Sequence, residues 1–482
     1  MNCMNNIYKT FTICAVILLL TSCDDWFDVR PKSQVKEDDL FQTEAGFRDA
    51  TLGIYTLMGN SDVYGGNMTM GFLDVLAQQY TDANAPYNTA ASYSYMDVYC
   101  RNMIDAMWKK SYEIIANCNR IIKNVEGSNG TILNDKIRRV VKAEALAVRA
   151  YLHFDMLRIF APSYITGRDQ KAIPYVAITT VNPQPVISVA EMCDILLNDL
   201  SEARQLLKDV DPICQANYNE QLNYSDDAFL ADDGFFLYRT SRLNYYGVTA
   251  LMARICLYKQ DMANALSYST EVINSGKFQL INDDLIASDA VENQGTTKNY
   301  SFMMSVAKHE YISSVYVYKL KEDCNDLYFR DSGSASLRIT PVRKSQIFGA
   351  EGLDFDVRSK RMFSIPNGSN NEYTCKYITG TQIPLLKIGE MYLIAAEASG
   401  NSDYLKSLRT QRGYRNVVID DSMLIQEIQQ EYQREFFAEG QLFFYYKRMN
   451  LPRIPNTNVD ATEDVYVLPL PDDELEFGYN IN

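Results

Sequence analysis

Apolar residues recur at spacings of three and four over several long stretches of the chain. Residues 43–58, 102–124 and 135–160 each carry such a stripe, and Phe47 and Ile54 belong to the first. This spacing places side chains on one face of an α-helix. The pattern therefore predicts long amphipathic helices in the first third of the chain.

Further helices are predicted in the middle and near the end. Residues 188–191 form a capping box, in which Ser188 and Glu191 satisfy the first backbone N–H groups of a helix that runs to residue 207. Residues 245–275 have the pattern of a helical hairpin, and Gly276 suits its C-terminal cap. The remaining stripes lie at 388–396 and 425–437.

Long polar segments without helical periodicity separate these stripes. Residues 59–100, 209–244 and 281–382 are rich in Asp, Asn, Ser, Gly and Tyr, and residues 311–320 alternate as a β-strand does. Loops of this length in a compact protein are usually functional. The pattern predicts a mainly α protein with long loop insertions and small β elements.

The N-terminus has the form of an export signal. Residues 11–20 are nearly all apolar and follow Lys9, but ten residues are too few to span a bilayer. Cys23 follows Thr21 and Ser22, which resembles the lipobox of bacterial lipoproteins. We expect residues 1–22 to be a signal peptide, Cys23 to be lipidated, and residues 23–42 to form a tether. A plain secretory signal with an incidental cysteine is the alternative.

Composition narrows the class of partner. The chain is 47% apolar and 22% charged, as globular proteins are, and its formal net charge is −15. Removing residues 1–22 takes away only Lys9, so the mature chain is more negative by one charge. This balance argues against nucleic acid and, more weakly, against polyanionic ligands, although a local basic pocket remains compatible with it.

The residues that carry most catalytic chemistry are scarce. The chain has two histidines, His153 and His309, and no Gly-rich phosphate loop, GxSxG or HExxH motif. Seven cysteines lie beyond Cys23 without a CxxC pair, which indicates structural thiols rather than a metal or redox site. We therefore expect no cofactor, no metal and no enzymatic activity, although a pair of carboxylates alone would suffice for a glycosidase.

Short motifs follow one another in a defined order. The two most specific are AEALAVRAY at 143–151 and EMYLIAAEA at 390–398. The others lie at 27–32, 47–55, 108–119, 405–413, 434–440, 447–448 and 466–471. In this order the chain resembles the SusD/RagB family, nutrient-capturing surface lipoproteins of the Bacteroidetes. The resemblance covers essentially the whole mature chain.

The resemblance implies a fold and a partner. Family members have a scaffold of four tetratricopeptide-like helical pairs, with loops and small strands that carry the ligand site. The family also implies a TonB-dependent outer-membrane barrel of the SusC type, over which the lipoprotein acts as a lid. We accordingly expect residues 43–244 and 245–482 to form one body, anchored by lipid to the outer membrane and facing the cell surface.

We interpret the residues of the matching motifs as structural, and not as ligand-binding residues. We expect Trp108, Tyr112 and Asn119 to face the core of a helical pair. Glu439 is expected to be a structural carboxylate near Arg434 or Arg448.

Aromatic residues in the long loops are the candidates for ligand binding. Sugar rings stack on flat aromatic side chains, and the chain has 34 tyrosines but only two tryptophans. The first loop offers a cluster that lies where family members often place their ligand platform, and tyrosines of the second insertion complete it. The candidates are Asp82, Asn84, Tyr87, Tyr93, Tyr95, Tyr311, Tyr316 and Tyr328.

Three functions remain open at this point. The first is a non-catalytic lipoprotein that captures a glycan or oligosaccharide and passes it to the barrel. The second is a lid of the same family that binds a peptide or another nutrient, which the scarcity of tryptophan favours. The third is a helical-repeat surface protein that binds partners and no small ligand.

Overall fold

A computed structural model describes residues 37–128, 134–216, 218, 234–292, 298–325, 336–365, 372–377 and 380–479. It is mainly α-helical with small two-stranded sheets, as the hydrophobic pattern predicts. Cys23 and Tyr328 lie outside the described residues.

The helices are α1 Glu37–Leu40, α2 Glu44–Met58, α3 Phe72–Leu76, α4 Asn88–Ala91, α5 Val98–Gly127, α6 Asp135–Phe160, α7 Tyr164–Gly167, α8 Val189–Leu207, α9 Tyr245–Tyr258, α10 Met262–Asn274 and α11 Asp283–Glu292. They continue with α12 Lys298–Glu310, α13 Leu320–Asn325, α14 Pro341–Phe355, α15 Val357–Arg361, α16 Ile388–Ser399, α17 Ser402–Gln411, α18 Leu424–Glu435, α19 Gln441–Arg448, α20 Glu463–Tyr466 and α21 Asp472–Phe477.

Eight short strands form four antiparallel pairs. They are β1 Asp82–Ala83, β2 Lys171–Pro174, β3 Val186–Ser188, β4 Tyr311–Tyr316, β5 Leu337–Arg338, β6 Phe363–Ser364, β7 Tyr373–Thr374 and β8 Gln382–Lys387. The pairs are β1 with β5, β2 with β3, β4 with β8, and β6 with β7. The β4–β8 ribbon is the longest, with Tyr316 opposite Gln382 at one end.

The long helices pack in a row. α2 and α6 pack on α5, α8 on α6, α9 on α8, α10 on α9, and α16 on α10. Helix α6 lies inside this row and is buried from Ala143 to Phe160, where small alanines let its neighbours approach closely. Such a row buries one continuous core between successive helical pairs, which is the kind of arrangement that the family resemblance implies.

Helix ends follow the capping signals in the sequence. The Ser188 hydroxyl accepts a hydrogen bond from the Glu191 N–H at 3.2 Å, and Asp261 caps α10 in the same way. Gly276 follows α10 with φ of 67°, a left-handed conformation that glycine adopts without strain. These caps account for the agreement between the predicted and observed ends of α8 and α10.

The segment 281–382 differs from its predicted form. It was expected to be largely non-helical, but it contains α11 to α15. These helices have at most 15 residues, and they bury isolated side chains such as Ile286, Phe302 and Ile347 instead of a long stripe. Because the segment is polar and has no long apolar stripe, hydrophobic periodicity does not predict these helices. The segment 59–100 likewise contains the short helices α3 and α4.

The described cysteines form no disulfide, and six of the seven are buried. Burial raises the pKa of the Cys118 and Cys193 thiols to about 12, so both remain protonated at neutral pH. These thiols act as small apolar side chains in the core, as the sequence predicts.

A buried ion network holds the C-terminal half together. The Glu435 carboxylate accepts a hydrogen bond from Arg358 at 2.6 Å and another from Arg412 at 2.9 Å, and it lies 3.2 Å from the Lys387 ammonium. All four side chains are nearly inaccessible to solvent. Buried charges are stable only when they are paired, so this network connects β8, α15, α17 and α18 as a unit.

Glu439 belongs to the same network, with partners that differ from the predicted ones. Its carboxylate accepts a hydrogen bond from Lys387 at 2.7 Å and also contacts Lys376. The predicted partners Arg434 and Arg448 instead pair with other glutamates. The expectation of a structural carboxylate was right, and the expected arginines were wrong.

A tight turn at 438–440 is bonded to helix α3 of the N-terminal half. The buried Asp74 carboxylate of α3 accepts hydrogen bonds from the backbone N–H groups of Ala438 and Gly440. Gly440 has φ of 71°, and a Cβ atom there would lie 2.3 Å from the Met68 carbonyl oxygen. Only glycine fits this position without a shift of the backbone.

Replacing Gly440 by alanine is expected to lower the free energy of unfolding by more than about 2 kcal/mol. The new methyl group adds a collision with the Met68 carbonyl to the cost of a left-handed φ. Urea denaturation measures this loss. Gly276→Ala is the control, because Gly276 has a similar φ of 67° with no atom within 4 Å of the added Cβ. Equal losses in the two variants would contradict the prediction.

Candidate ligand-binding site

The tyrosines of the first loop are largely inside the protein. Tyr87 and Tyr95 are only 5% and 6% exposed, and the Tyr95 hydroxyl donates to the Val465 carbonyl at 2.6 Å. Tyr93 is half-buried, and its hydroxyl donates to the Leu76 carbonyl at 3.0 Å. These hydroxyls and rings hold the loop against the scaffold.

This burial corrects the predicted first half of the platform. A sugar ring needs an accessible aromatic face, which Tyr87 and Tyr95 do not offer. Burial raises the pKa of Tyr87 to about 12 and that of Tyr93 to about 12 as well. Truncating these tyrosines would test the packing of the loop rather than the binding of a ligand.

Polar candidates of the same loop lie at its exposed edge. Asn84 is exposed, its N–H donates to the Ser336 carbonyl at 2.9 Å, and its own carbonyl accepts from the Tyr87 N–H. Asp82 lies in β1 opposite Arg338 of β5, but its side chain is outside the described part of the structure. The Asn84 amide therefore remains available at the surface.

Tyrosines of the second insertion divide between core and surface. Tyr311 is 2% exposed at the start of β4, and Tyr316 is 52% exposed at its end. Burial raises the pKa of Tyr311 well above its ordinary value, as expected for a core residue. The predicted role of Tyr311 in ligand binding is therefore corrected, whereas Tyr316 presents its ring to solvent.

The end of the β4–β8 ribbon gathers exposed aromatic and polar side chains. Tyr238, Tyr316 and Tyr318 are 59%, 52% and 78% exposed. Gln382 lies opposite Tyr316, and its side-chain amide donates to the Ser241 hydroxyl at 2.7 Å. We call these five residues the tyrosine patch. Val317 is buried between Tyr316 and Tyr318, so both rings emerge on the outer side of one segment.

Sequence reasoning missed four members of the patch, Tyr238, Ser241, Tyr318 and Gln382. Tyr238 and Gln382 belong to the patch only because β4 pairs with β8 and because the turn at 239–241 packs on β4. The Ser314 hydroxyl donates to the Thr240 carbonyl at 3.0 Å, and the Asn244 amide donates to the Ile312 carbonyl at 2.7 Å. No local signal in the sequence marks this pairing.

A buried arginine fixes the turn that carries Tyr238. Arg239 is fully buried and donates to both carboxylate oxygens of Asp211 at 2.9 Å and to Glu144 at 2.5 Å. Burial alone would lower the pKa of Arg239, but the carboxylates of Asp211 and Glu144 raise it well above its ordinary value. Tyr238 therefore stands on a rigid support next to α6.

The patch combines flat aromatic rings with hydrogen-bonding groups. Tyrosine rings supply flat apolar contact area with little loss of conformational entropy. The Gln382 amide and the Ser241 hydroxyl supply donors and acceptors for sugar hydroxyls beside those rings. A ligand that is held in this way is oriented without being bonded covalently.

A second concave surface follows α5. A groove of about 940 Å³ runs between α5, the loop at 174–184 and α21. Its floor is aromatic and aliphatic, its rim is charged, and burial raises the pKa of Asp105 and of Glu474 along that rim. The apolar lining includes Trp108, Tyr112, Pro174, Val176, Val181 and Phe477.

The motif residues Trp108, Tyr112 and Asn119 position the loop that forms one side of this groove. Trp108 packs on Tyr112 with ring centroids 4.6 Å apart, and Tyr112 donates to the Pro174 carbonyl at 3.1 Å. Asn119 donates to the Val176 carbonyl at 2.9 Å. The same three residues also contact Phe160, His153 and Arg149 of α6, so they face the helical pair as predicted.

The buried side chain of His153 forms a hydrogen bond with the same loop. Its Nε2 atom accepts a hydrogen bond from the Val176 N–H at 3.0 Å, so Nδ1 carries the proton and donates to the Arg149 carbonyl at 2.9 Å. Burial lowers the pKa of His153 from 6.5 to about 3. A proton on Nε2 would remove the acceptor for Val176 and leave a charge inside the core.

The free energy of unfolding is expected to fall as pH decreases from 6.5 towards 3, because the unfolded chain binds a proton at His153 that the folded chain does not. Between pH 6.5 and pH 5 this one group contributes a loss of about 2 kcal/mol. Urea denaturation at several pH values measures the slope. His153→Gln is expected to be less stable at pH 7 and to lose less on acidification. Parallel curves for the two proteins would contradict the assignment.

Two kinds of feature are absent from the described part of the chain. No group of three or more His, Cys, Asp or Glu side chains is arranged to hold a metal ion there. Among the helices described, none is both long enough and apolar enough to cross a membrane.

Two family models match the chain one after the other. A SusD-like model described as "Starch-binding associating with outer membrane" matches residues 25–220. The model described as "SusD family" matches residues 262–476. Both halves of the helical scaffold are therefore similar to the same family.

Curated relatives are similar over shorter stretches. SusD-like protein P25 of Formosa agariphila is 24% identical over 152 residues, which are 30% of this chain and 28% of that protein. A SusD-like protein of Bacteroides ovatus is 22% identical over 197 residues, which are 40% of this chain and 34% of that protein. The chain thus aligns with about a third of the length of each relative.

Solved structures share the fold over nearly the whole chain. A SusD-like carbohydrate binding protein from Bacteroides vulgatus has a TM-score of 0.66 at 17% identity, covering 90% of this chain and 96% of that one. A SusD superfamily protein from the same organism has a TM-score of 0.68 at 20% identity, covering 90% and 97%. These structures show the shared fold, and the two family models, which together match most of the chain, show that it belongs to the SusD/RagB family.

Proposed function

We propose that this protein is a non-catalytic surface lipoprotein that captures a glycan or oligosaccharide and passes it to a TonB-dependent, SusC-like barrel in the outer membrane. The observation that carries the proposal is the match of both halves of the chain, in order, to SusD family models. The description of the first model refers to starch binding and the outer membrane, and one structural neighbour is described as a carbohydrate-binding protein.

The tyrosine patch is the proposed site of capture. Its rings are exposed on a support that Arg239 and the β4–β8 ribbon make rigid. Of the residues predicted from the sequence, Tyr316 contributes to the patch, and Asn84 is exposed at a separate edge. Cys23 is the proposed point of lipid attachment.

The use of the histidines supports a binding role. Both ring nitrogens of His153 bond to backbone groups of the scaffold, and His309 lies 3.2 Å from the Asp289 carboxylate. Neither histidine belongs to the tyrosine patch. The five residues of the patch offer amide, hydroxyl and phenol groups, and none of them is a histidine, the side chain whose ordinary pKa lies close to neutral pH. These groups can hold a glycan through stacking and hydrogen bonds.

A glycan panel tests this function. The soluble domain, residues 24–482, is run through native gels that contain plant, host or microbial polysaccharides, and its mobility is compared with that of a non-binding protein. Retardation by at least one polysaccharide, with no release of shorter products, is the expected result. If no polysaccharide slows the domain while the intact lipoprotein still co-purifies with a barrel, the ligand is a peptide or another nutrient. Release of shorter products would overturn the non-catalytic role.

A further inference from the structure

A buried arginine next to the first loop has no carboxylate to balance its charge. Arg343 lies in the first turn of α14 and is only 5% exposed. One terminal nitrogen of its guanidinium donates to the Gln78 carbonyl at 3.1 Å, and in the described part of the chain the side chain forms no ion pair. Its Nε–H is enclosed by protein and has no hydrogen-bond partner. Because arginine stays protonated in proteins, a positive charge lies here in the interior.

The groups around Arg343 do not supply a negative charge. Burial lowers the pKa of Arg343 to about 10, and the neighbouring group that raises it again is the Tyr446 phenol rather than a carboxylate. Tyr446 is itself buried in α19, and burial raises its pKa well above the ordinary value, so the phenol is neutral. Other buried arginines differ, since Arg358 pairs with Asp356 at 2.7 Å. Arg343 therefore keeps an unbalanced charge.

A second unpaired donor lies near this guanidinium. The Tyr446 hydroxyl is enclosed by protein and has no hydrogen-bond partner, as is the case for the Arg343 Nε–H. Both groups can donate a hydrogen bond, so both need an acceptor. A water molecule would accept such bonds but would leave the positive charge unbalanced, and burying an unbalanced charge is costly. An anion accepts the bonds and also neutralises the charge.

Hydrogen bonds fix the two sides of this site. Gln78, whose carbonyl accepts from Arg343, donates through its side-chain amide to the Tyr93 hydroxyl at 3.1 Å. On the other side, the Thr340 N–H donates to the Thr81 hydroxyl at 2.9 Å, directly before α14. The site therefore lies where the first loop is attached to α14, and neutralising Arg343 also stabilises this attachment.

We infer that Arg343 binds a small monovalent anion, chloride or an ion of similar size, through its Nε–H, with the Tyr446 hydroxyl as the second donor. The slight exposure of Arg343 favours a small ion over a substituent of a glycan. This anion is a structural component of the fold, and the inference does not depend on the proposed capture of a glycan. Because it binds the folded chain and not the unfolded one, the anion is expected to stabilise the folded state.

Crystals of the soluble domain in sodium bromide test the site directly, because bromide scatters anomalously. We expect an anomalous peak within hydrogen-bonding distance of the Arg343 Nε atom and of the Tyr446 hydroxyl. Density at this position without an anomalous peak would identify a water molecule and would overturn the inference. Anomalous peaks only at other positions, or no density between the two donors, would overturn it as well.

Urea denaturation in sodium chloride and in sodium gluconate of equal concentration provides an independent test, because gluconate is too large for an enclosed site. The midpoint of unfolding of the parent protein is expected to be higher in chloride. Arg343→Met, which keeps an apolar stem without the charge, is expected to lose this difference. Arg168→Met, at an exposed position after α7, is expected to retain it.

Equal differences between the two salts in the parent protein and in Arg343→Met would contradict the inference. The bromide crystals of the parent protein decide the question if Arg343→Met does not fold.

Discussion

Replacing Glu435 by glutamine is expected to lower the free energy of unfolding by about 3–5 kcal/mol. Glu435 accepts hydrogen bonds from Arg358 and Arg412 and lies beside Lys387 in the interior. Burial would raise the pKa of Glu435, but Arg412, Lys387 and Arg358 hold it well below its ordinary value. The carboxylate is therefore charged, and its loss removes one of the buried anions that balance Arg358, Arg412 and Lys387, which keep only their other carboxylate partners.

Urea denaturation of the soluble domain measures this effect. Glu113→Gln is the matched control, because Glu113 pairs with Lys110 at 2.7 Å on the exposed side of α5. Exposed pairs contribute only about 0–1 kcal/mol, so the control is expected to unfold nearly as the parent protein does. A loss below about 1 kcal/mol in Glu435→Gln would show that the network does not hold the C-terminal half together.

The double variant Tyr238→Ala/Tyr316→Ala is expected to weaken binding of the captured glycan by at least about tenfold. Both rings are more than half exposed, so their removal deletes contact area for the ligand and leaves the core intact. Calorimetric titration with the polysaccharide that retards the parent protein measures the change. Thermal melting of the variant is expected to match that of the parent.

Tyr99→Ala provides the control for this prediction. Tyr99 is 53% exposed at the start of α5, outside the tyrosine patch, so its removal tests the general effect of deleting an exposed ring. We expect it to bind with the affinity of the parent. Equal affinity of the double variant and the parent would place the site elsewhere, with the groove along α5 as the next surface to examine.

The helical row was predictable because its signals are local. The apolar stripe of α6, the capping box at 188–191 and the hairpin at 245–275 each act within one or two turns of helix. Observed bounds of Asp135–Phe160, Val189–Leu207 and Met262–Asn274 follow these signals closely. The family resemblance, which rests on the order of the motifs, predicted that these helices would pack as successive pairs.

The partners of buried charges were not predictable in the same way. Glu439 lies five and nine residues from the arginines that seemed available to it, yet its partners come from β8 and from the turn after β7. Those lysines lie more than fifty residues away in sequence. With 61 acidic and 46 basic residues in the chain, proximity in sequence does not determine which charges meet inside the fold.

The candidate site was predicted only in part for a related reason. The sequence shows where tyrosines cluster, but the packing of each loop decides which of them are exposed. Tyr87 and Tyr95 turn inward because the loop closes against α3 and the C-terminal segment, whereas Tyr316 ends a strand and faces solvent. Tyr238 joins it through a turn that is anchored by Arg239, about seventy-eight residues earlier in the chain.

A crystal structure of the soluble domain with the polysaccharide fragment that binds it is the most direct test of the account. We predict a sugar ring lying within about 4 Å of the Tyr316 or Tyr238 ring face, with Gln382 bonded to a sugar hydroxyl and the glycan intact. A glycan bound only in the groove along α5, or only at the edge that carries Asn84, would contradict the assignment of the tyrosine patch as the site of capture.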